Sequence, residues 1–221
     1  MTRRGNAEHR CKRCKMHQSL CVCALIPRLQ TRARLLLVIH RTEERKPTNT
    51  GTLASECLVN SEVVVRGHEA DPTLALPVPE GTEPVLLFPH EDAVNIVDYA
   101  LPSRPVTLIV PDGTWRQASK VRARVPGLSV LPCVKLPTAE PSLYRLRAEA
   151  HPHGLATIEA IARAFGVLEG LHVRHAMEYV FRAMVERTLW ARGQGTTESV
   201  TGGIPNGVVR HDPRSGAVRV S

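Results

Sequence analysis

Leu108-Ile109-Val110 is an apolar, β-branched run that stops at Pro111, and Asp112-Gly113-Thr114-Trp115-Arg116-Gln117 follow directly. Such a run bounded by turn residues reads as a buried strand. Thr114 and Gln117 then stand at the spacing of a capping box, in which the hydroxyl and the amide each serve the other residue's backbone N–H. The stretch is therefore strand, tight loop and helix start. In an open α/β sheet the carboxyl end of a strand faces the amino end of the next helix, and free N–H groups and the helix dipole converge there on a ligand. Asp112 falls at that mouth. Two readings fit it: a turn-shaping residue with Trp115 as a core aromatic, or a carboxylate facing a bound molecule.

Other runs repeat the pattern. Leu35 to Ile39 is continuously apolar, as a strand buried on both faces requires. Ser61–Arg66, Pro84–Phe88, Val106–Val110 and Leu128–Val134 give four more strands. Helices are expected from Asn49 or Thr50 to about Asn60, from Thr114 onward, through Ile158, Ile161 and Phe165, and from about His172 to Arg192 with Met177, Val180, Phe181, Met184 and Leu189 as its apolar stripe. Strands alternating with helices predict an α/β domain with a largely parallel sheet flanked by helices. With 221 residues the chain fits one such domain, drawn at 31–192, behind a small cysteine-rich segment, 1–30, and ahead of a glycine-rich tail, 193–221. In the tail, Gly207 to Val220 reads as a hairpin around Asp212 to Gly216, or as flexible chain.

Four of the six cysteines stand as Cys11-x2-Cys14-x6-Cys21-x-Cys23. Clustering this tight in a reducing compartment argues for thiolate metal ligation, and four sulfurs suit structural Zn²⁺. Four-cysteine sites also hold iron–sulfur clusters, and free thiols are the plain alternative. His9 and His17 are nearby substitute ligands that four thiolates make unnecessary, while Cys57 and Cys133 sit among apolar neighbours as core residues.

Lys and Arg outnumber Asp and Glu by 29 to 21, a net charge of +8, which favours a polyanionic partner. Arg41, Arg45 and Lys46 give the loop after the first strand a phosphate-seeking character. Arg116, Lys120 and Arg124, at i, i+4 and i+8, form a basic stripe that is either a solvated face or an RNA contact. No apolar run approaches the roughly 20 residues of a membrane span, and Met1 to Arg10 lacks the apolar core of a signal peptide. A cytoplasmic location is expected. Neither a Walker A loop nor Gly-x-Gly-x-x-Gly is present, against nucleotide-triphosphate and NAD sites of those kinds.

Asp112-x-Thr114-Trp115 after a buried strand resembles the signature of the DTW-domain family. The resemblance extends in order through Asn49-Thr50-Gly51-Thr52-Leu53-Ala54, Phe88-Pro89, Tyr144-Arg145-Leu146-Arg147 and Thr157-Ile158-Glu159-Ala160. It departs at His40-Arg41-Thr42-Glu43, where relatives often carry His-Pro-x-Glu, and at Ala156, where a serine is common. The resemblance implies a tRNA-uridine aminocarboxypropyltransferase that uses S-adenosylmethionine at N3 of a uridine, on a fold akin to the knotted SPOUT methyltransferases. It implies a cofactor pocket drawn from Phe88, Pro89, Gly113, Thr114, Trp115, Thr157, Glu159 and Ala160. Glu159 also reads as an ordinary first-turn acid.

On that resemblance Asp112 is the candidate catalytic base or the holder of the cofactor's amino group. Trp115 either stacks on a base or packs inward, and Arg145 and Arg147 suit the cofactor carboxylate or an RNA phosphate. Two rivals compete with this reading: a methyltransferase using the same cofactor, and a non-enzymatic zinc-containing RNA-binding protein. Against the latter, aromatic residues make up only 4% of the chain, too few for an extended stacking platform.

Overall fold

The computed structural model describes residues 8–44, 46, 49–67, 76–100, 103–137, 141–142, 144, 146 and 154–210. Six strands, β1 (Arg34–His40), β2 (Ser61–Arg66), β3 (Glu83–Leu87), β4 (Val94–Asn95), β5 (Val106–Asp112) and β6 (Cys133–Lys135), form one sheet in the order β2-β1-β5-β3-β6-β4. Every pairing is parallel, as the continuous apolar runs require. Among the described residues no helix is long and apolar enough to cross a membrane.

Alternation along the strands divides the core in two. Leu35 and Leu37 of β1, Leu108 and Val110 of β5 and Val85 of β3 face α2 (Gly51–Cys57), α5 (Thr157–Glu169) and α6 (Leu171–Ala191). Leu36, Val38, Ile109 and Leu86 face the other way, onto Val121 and Val125 around α4 (Val121–Arg124), and onto Leu128. A single-turn α1 (Arg41–Glu44) follows β1, and α3 (Trp115–Ala118) follows β5. Gly170 turns the chain between α5 and α6 at φ +107°, a backbone conformation that side chains rarely adopt. Cys14, Met16, Leu20 and Val22 are buried in the same core as α6, so the cysteine segment packs directly on the α/β body.

Three expectations need correction. The fifth strand is only Cys133–Lys135. Gly127, at φ +83°, turns the chain, and Leu128 and Leu131 close successive turns through Val125 and Leu128 carbonyls instead of entering the sheet. The first helix ends at Cys57, three residues early, because Leu29 takes the Cys57 carbonyl and forms a bridge with Leu58. The helix from Thr114 is broken into α3 and α4, so Arg116, Lys120 and Arg124 do not share one helical face. Ser119 bonds back to the Arg116 carbonyl and Lys120 closes an i→i−3 turn on Gln117, which together stop the first helical segment.

The described part of the tail, 193–210, contains neither strand nor helix. Its expected hairpin has no strand at Gly207–Arg210, and the turn at Asp212–Gly216 lies outside the described residues. The segment nonetheless docks: Trp190 Nε1 donates to Thr197 Oγ1 at 3.1 Å, Thr201 N to Glu186 Oε2 at 2.6 Å, and Val200 is buried.

Candidate active site

Asp112 closes β5 in the interior of the sheet, and its side chain turns to the α2/α5 face. It is 7% exposed. Oδ1 accepts from Thr157 Oγ1 at 2.6 Å and Oδ2 from Asn49 Nδ2 at 2.5 Å. Thr157 is the first residue of α5, and Asn49 lies just before α2, where its Oδ1 accepts from Thr52 N at 3.0 Å and so caps that helix. Thr50 Oγ1 in turn accepts from Ile158 N at 3.4 Å. Two helix amino ends thus converge on one carboxylate, each delivering a neutral donor to a different oxygen. Gly51 permits the approach, since a Cβ there would stand 2.7 Å from Asp112 Oδ2 and 3.1 Å from Leu37 Cδ2.

The capping box expected after β5 is formed. Thr114 Oγ1 accepts from Gln117 N at 3.3 Å while Gln117 Oε1 accepts from Thr114 N at 2.9 Å. Gln117 Nε2 also donates to Thr42 Oγ1 at 3.2 Å, and that hydroxyl lies 2.8 Å from His40 Nδ1. The loops after β1 and β5 are therefore laced together. His40 is the last residue of β1, one beyond the apolar run, and Thr42 N approaches its Nδ1 at 3.3 Å.

The remaining sequence candidates distribute as follows. Phe88 and Pro89 follow β3, the strand beside β5, with Phe88 half-buried against the α4 layer and Pro89 exposed. Gly113 is half-buried and Thr114 exposed. Trp115 opens α3, and its side chain lies outside the described part of the structure. Glu159 is 3% exposed; Oε2 accepts from Ala156 N at 2.9 Å and from Ser142 Oγ at 2.6 Å, so this carboxylate holds the start of α5 and the preceding loop. Ala160 is half-buried against the main core. Arg41, Arg116, Lys120 and Arg124 are exposed, and the Lys46 ammonium is paired with the buried Glu43 carboxylate. Arg45, Arg145 and Arg147 lie outside the described residues. Asn49 was not singled out as a partner of Asp112; a polar residue just before a helix signals a cap, and nothing local signals a second bond from 63 positions away.

Cys11, Cys14, Cys21 and Cys23 come together with all four sulfurs within 4.8 Å of one another. Cys11 Sγ and Cys23 Sγ are 3.4 Å apart, and Cys14 Sγ and Cys21 Sγ 3.6 Å. Tetrahedral Zn²⁺ with bonds of about 2.3 Å has sulfur edges of about 3.8 Å, so the donor set fits such an ion. The tight turn of the knuckle is set by Lys15 at φ +61° and by Cys11 N donating to the Met16 carbonyl at 2.8 Å. Burial and the neighbouring sulfurs push Cys14 up to about 11. Burial opposes ionisation of Cys11 too, but the N–H groups of Cys14 and Arg13 and the adjacent sulfurs pull it down to about 7. Arg13 spends its guanidinium on Glu56 of α2, at 2.5 Å. Arg187 of α6, 4% exposed, donates to the carbonyls of Cys21 at 2.5 Å, Gly203 at 2.8 Å and Gly202 at 3.0 Å. Burial pushes the Cys57 thiol up to about 12, as for a core cysteine.

With this geometry in hand, comparison with known proteins is decisive for family. The DTW domain profile matches residues 8–189. The chain belongs to the DTW-domain family. Among similar proteins, one named tRNA-uridine aminocarboxypropyltransferase 2 from Macaca fascicularis is 30% identical over 168 residues, covering 72% of this chain and 56% of the relative. Its namesake from Mus musculus is 31% identical over 175 residues, covering 74% and 58%. The one from Drosophila melanogaster is 29% identical over 172 residues, covering 74% and 68%. The chain thus spans a little over half the length of the two mammalian relatives. A solved structure, the SAM-dependent rRNA:acp-transferase Tsr3 from Vulcanisaeta distributa, aligns at 20% identity and TM-score 0.42, over 76% of this chain and 79% of that one.

Proposed function

We propose that this DTW chain is a tRNA-uridine aminocarboxypropyltransferase, moving the 3-amino-3-carboxypropyl group of S-adenosylmethionine to N3 of a tRNA uridine. The observation that carries the reading is the Asp112 carboxylate, fixed at the carboxyl edge of a parallel sheet between the amino ends of α2 and α5. Carboxyl edges of such sheets are where small molecules bind. The names of the relatives supply the reaction class.

Uridine N3 is an imide nitrogen that bears a proton at neutral pH and is a poor nucleophile until the proton leaves. In the proposed reaction N3 bonds to the γ-carbon of the methionine moiety, the carbon–sulfur bond breaks, its electron pair returns to sulfur, and methylthioadenosine departs. Asp112 takes the N3 proton. Held by two neutral donors, it needs no reorientation at the moment of transfer, and a placed base of this kind is worth ~10² to 10⁴ in rate. If Asp112 instead fastens the cofactor's ammonium, its loss raises KM for S-adenosylmethionine more than it lowers kcat. Gly113, Thr114, Trp115, Thr157 and Ala160 belong to the proposed cofactor pocket, with Phe88 and Pro89 as its wall, and Glu159 supports the α5 side of it. Zn²⁺ is the proposed ion for the four cysteines, in a structural role. A reducing, cytoplasmic setting and the knotted chain path of the SPOUT type belong to the same proposal.

The test is mass spectrometry of the purified protein with unmodified tRNA and S-adenosylmethionine. Methylthioadenosine with an aminocarboxypropylated uridine is expected, and Asp112→Ala should lose it while keeping the fold. S-adenosylhomocysteine with a methylated nucleoside would transfer the chain to the methyltransferases, and normal turnover by the Asp112 variant would remove that residue from the chemistry.

A further inference from the structure

β2 is an outer strand, and its last residue, Arg66, is the register partner of His40 at the end of β1. Side chains alternate along a strand, so Arg66 projects to the same face as Val64. Val64 packs against the layer that contains Val121 and Val125, and Arg124 ends the helix between them. Arg66 and Arg124 therefore stand on the same side of the sheet, near enough for the charge of one to act on the other. Burial, and then the like charge of Arg124, pull the Arg66 guanidinium below the usual arginine value. Among the described residues neither guanidinium has a carboxylate within ion-pair distance, in contrast to Arg13, Arg34 and Arg174. Lys120 adds a third, exposed positive charge at the start of α4.

Two like charges on one side of the sheet without an internal counter-ion repel one another, and an anion between them relieves that repulsion. A phosphate suits the position, because a guanidinium fork matches its oxygens. The position also matters. Ile39 of β1 is the register partner both of Asp112 and of Val65, so Arg66 stands one residue beyond the level of Asp112. Two strand spacings, about 10 Å, separate the β2 and β5 ends. A strand of RNA crossing the carboxyl edge over β1 would meet Asp112 on one side and the arginine pair on the other.

We propose that Arg66 and Arg124 clamp a backbone phosphate of the RNA strand whose uridine enters beside Asp112. This rests on the RNA-modifying reading above and adds to it a residue, Arg66, that no sequence motif marked. The clamp reads charge and backbone position and no base identity, so it fixes which part of the strand lies over the mouth.

The test is fluorescence anisotropy of an unmodified tRNA transcript with the full-length protein over a series of salt concentrations. Loss of one phosphate contact lowers the slope of log K against log[salt] by about 0.7 to 0.9. Arg66→Gln and Arg124→Gln should each weaken binding by about tenfold at low salt. The double variant should lower the slope by about one and be weaker by less than the product of the singles, since both residues hold the same phosphate. Arg66→Lys, which keeps the charge and loses the fork, should fall between. Arg182→Gln, exposed on α6 across the sheet, should match wild type. Wild-type affinity and slope in the double variant, with intact thermal melts, would overturn the clamp and leave the RNA reading standing. A wild-type protein that binds no tRNA would overturn both.

Discussion

Asn49 Nδ2 donates to Asp112 Oδ2 across 2.5 Å while Oδ1 of the same amide accepts from Thr52 N. One side chain therefore fixes both the direction of the carboxylate and the start of α2. Removing the side chain therefore disturbs both, whereas exchanging only the amide nitrogen separates them.

Asn49→Asp keeps the cap and replaces the donor by a second carboxylate. Two carboxylates at hydrogen-bond distance cannot both ionise freely, so one titrates well above its unfolded value of about 4. Between those values the folded protein binds more protons than the unfolded chain, and stability falls as pH rises. The variant should melt well below wild type near pH 8 and recover toward it near pH 5.5. A gap in melting temperature that stays constant with pH would refute the shared-proton geometry.

Gly51→Ala tests the close approach of α2. The added Cβ would stand 2.7 Å from Asp112 Oδ2, so either the helix or the carboxylate moves. Overpacking of this size costs about 1 to 3 kcal/mol. Misplacement of a reacting group by about 1 Å can cost ~10² in rate. Turnover should therefore fall by at least about tenfold in a protein that still melts cooperatively, and unchanged kcat would show that this contact does not set the position of Asp112.

Cys57 supplies a pH prediction of the same sign in a more alkaline range. Its thiol is pushed up to about 12 by burial, against about 8.5 in an unfolded chain. Its contribution is complete below the unfolded value and is lost as pH rises toward the folded one. Wild type should be more stable than Cys57→Ala near neutrality, and the gap should shrink from about pH 9 upward. Paired melts across that range decide the point; a gap that holds steady rejects it.

Metal removal and Arg187→Met should weaken the same assembly. Cys14, Met16, Leu20 and Val22 belong to the main core, so stripping the cysteines with a chelator should lower the melting temperature of the whole body. Loss of the Arg187 guanidinium leaves the carbonyls of Cys21, Gly202 and Gly203 without that donor. Gly202 and Gly203 are exposed, so water can take their carbonyls, and the loss is that of hydrogen bonds to a charged donor, about 1.5 to 3 kcal/mol. Urea titration should show a loss of about 1.5 to 3 kcal/mol for Arg187→Met, with faster release of the proposed zinc to a chromogenic chelator. Wild-type retention of zinc would separate Arg187 from the metal knuckle.

Much of this was legible because some signals are local. β2 occupies Ser61–Arg66, as read, and the Thr114–Gln117 capping box is formed, since run length, β-branching and cap spacing all act within a few residues. The cysteine knuckle is local as well. The loss of Leu128 from the fifth strand was not legible, because Leu128 is as buried as a strand residue and only Gly127 turns it away. The break at Ser119 depends on a hydroxyl choosing the Arg116 carbonyl over solvent. The site itself was half legible: Asp112 and Thr157 stood out within motifs, but their bond to each other, and Asn49's to Asp112, join distant parts of the chain.

The bond from Arg187 to the Cys21 carbonyl spans 166 positions, and the same guanidinium holds Gly202 and Gly203. During synthesis the cysteine segment leaves the ribosome well before α6, and the Arg187 seat is complete only when α6 and the turn beyond it have been made. A segment translated ahead of α6 thus reaches its final packing only after α6 has followed it. A chain truncated before residue 202 would carry every residue of the Asp112 site and still lack two of the carbonyls that hold the Arg187 seat of the cysteine segment.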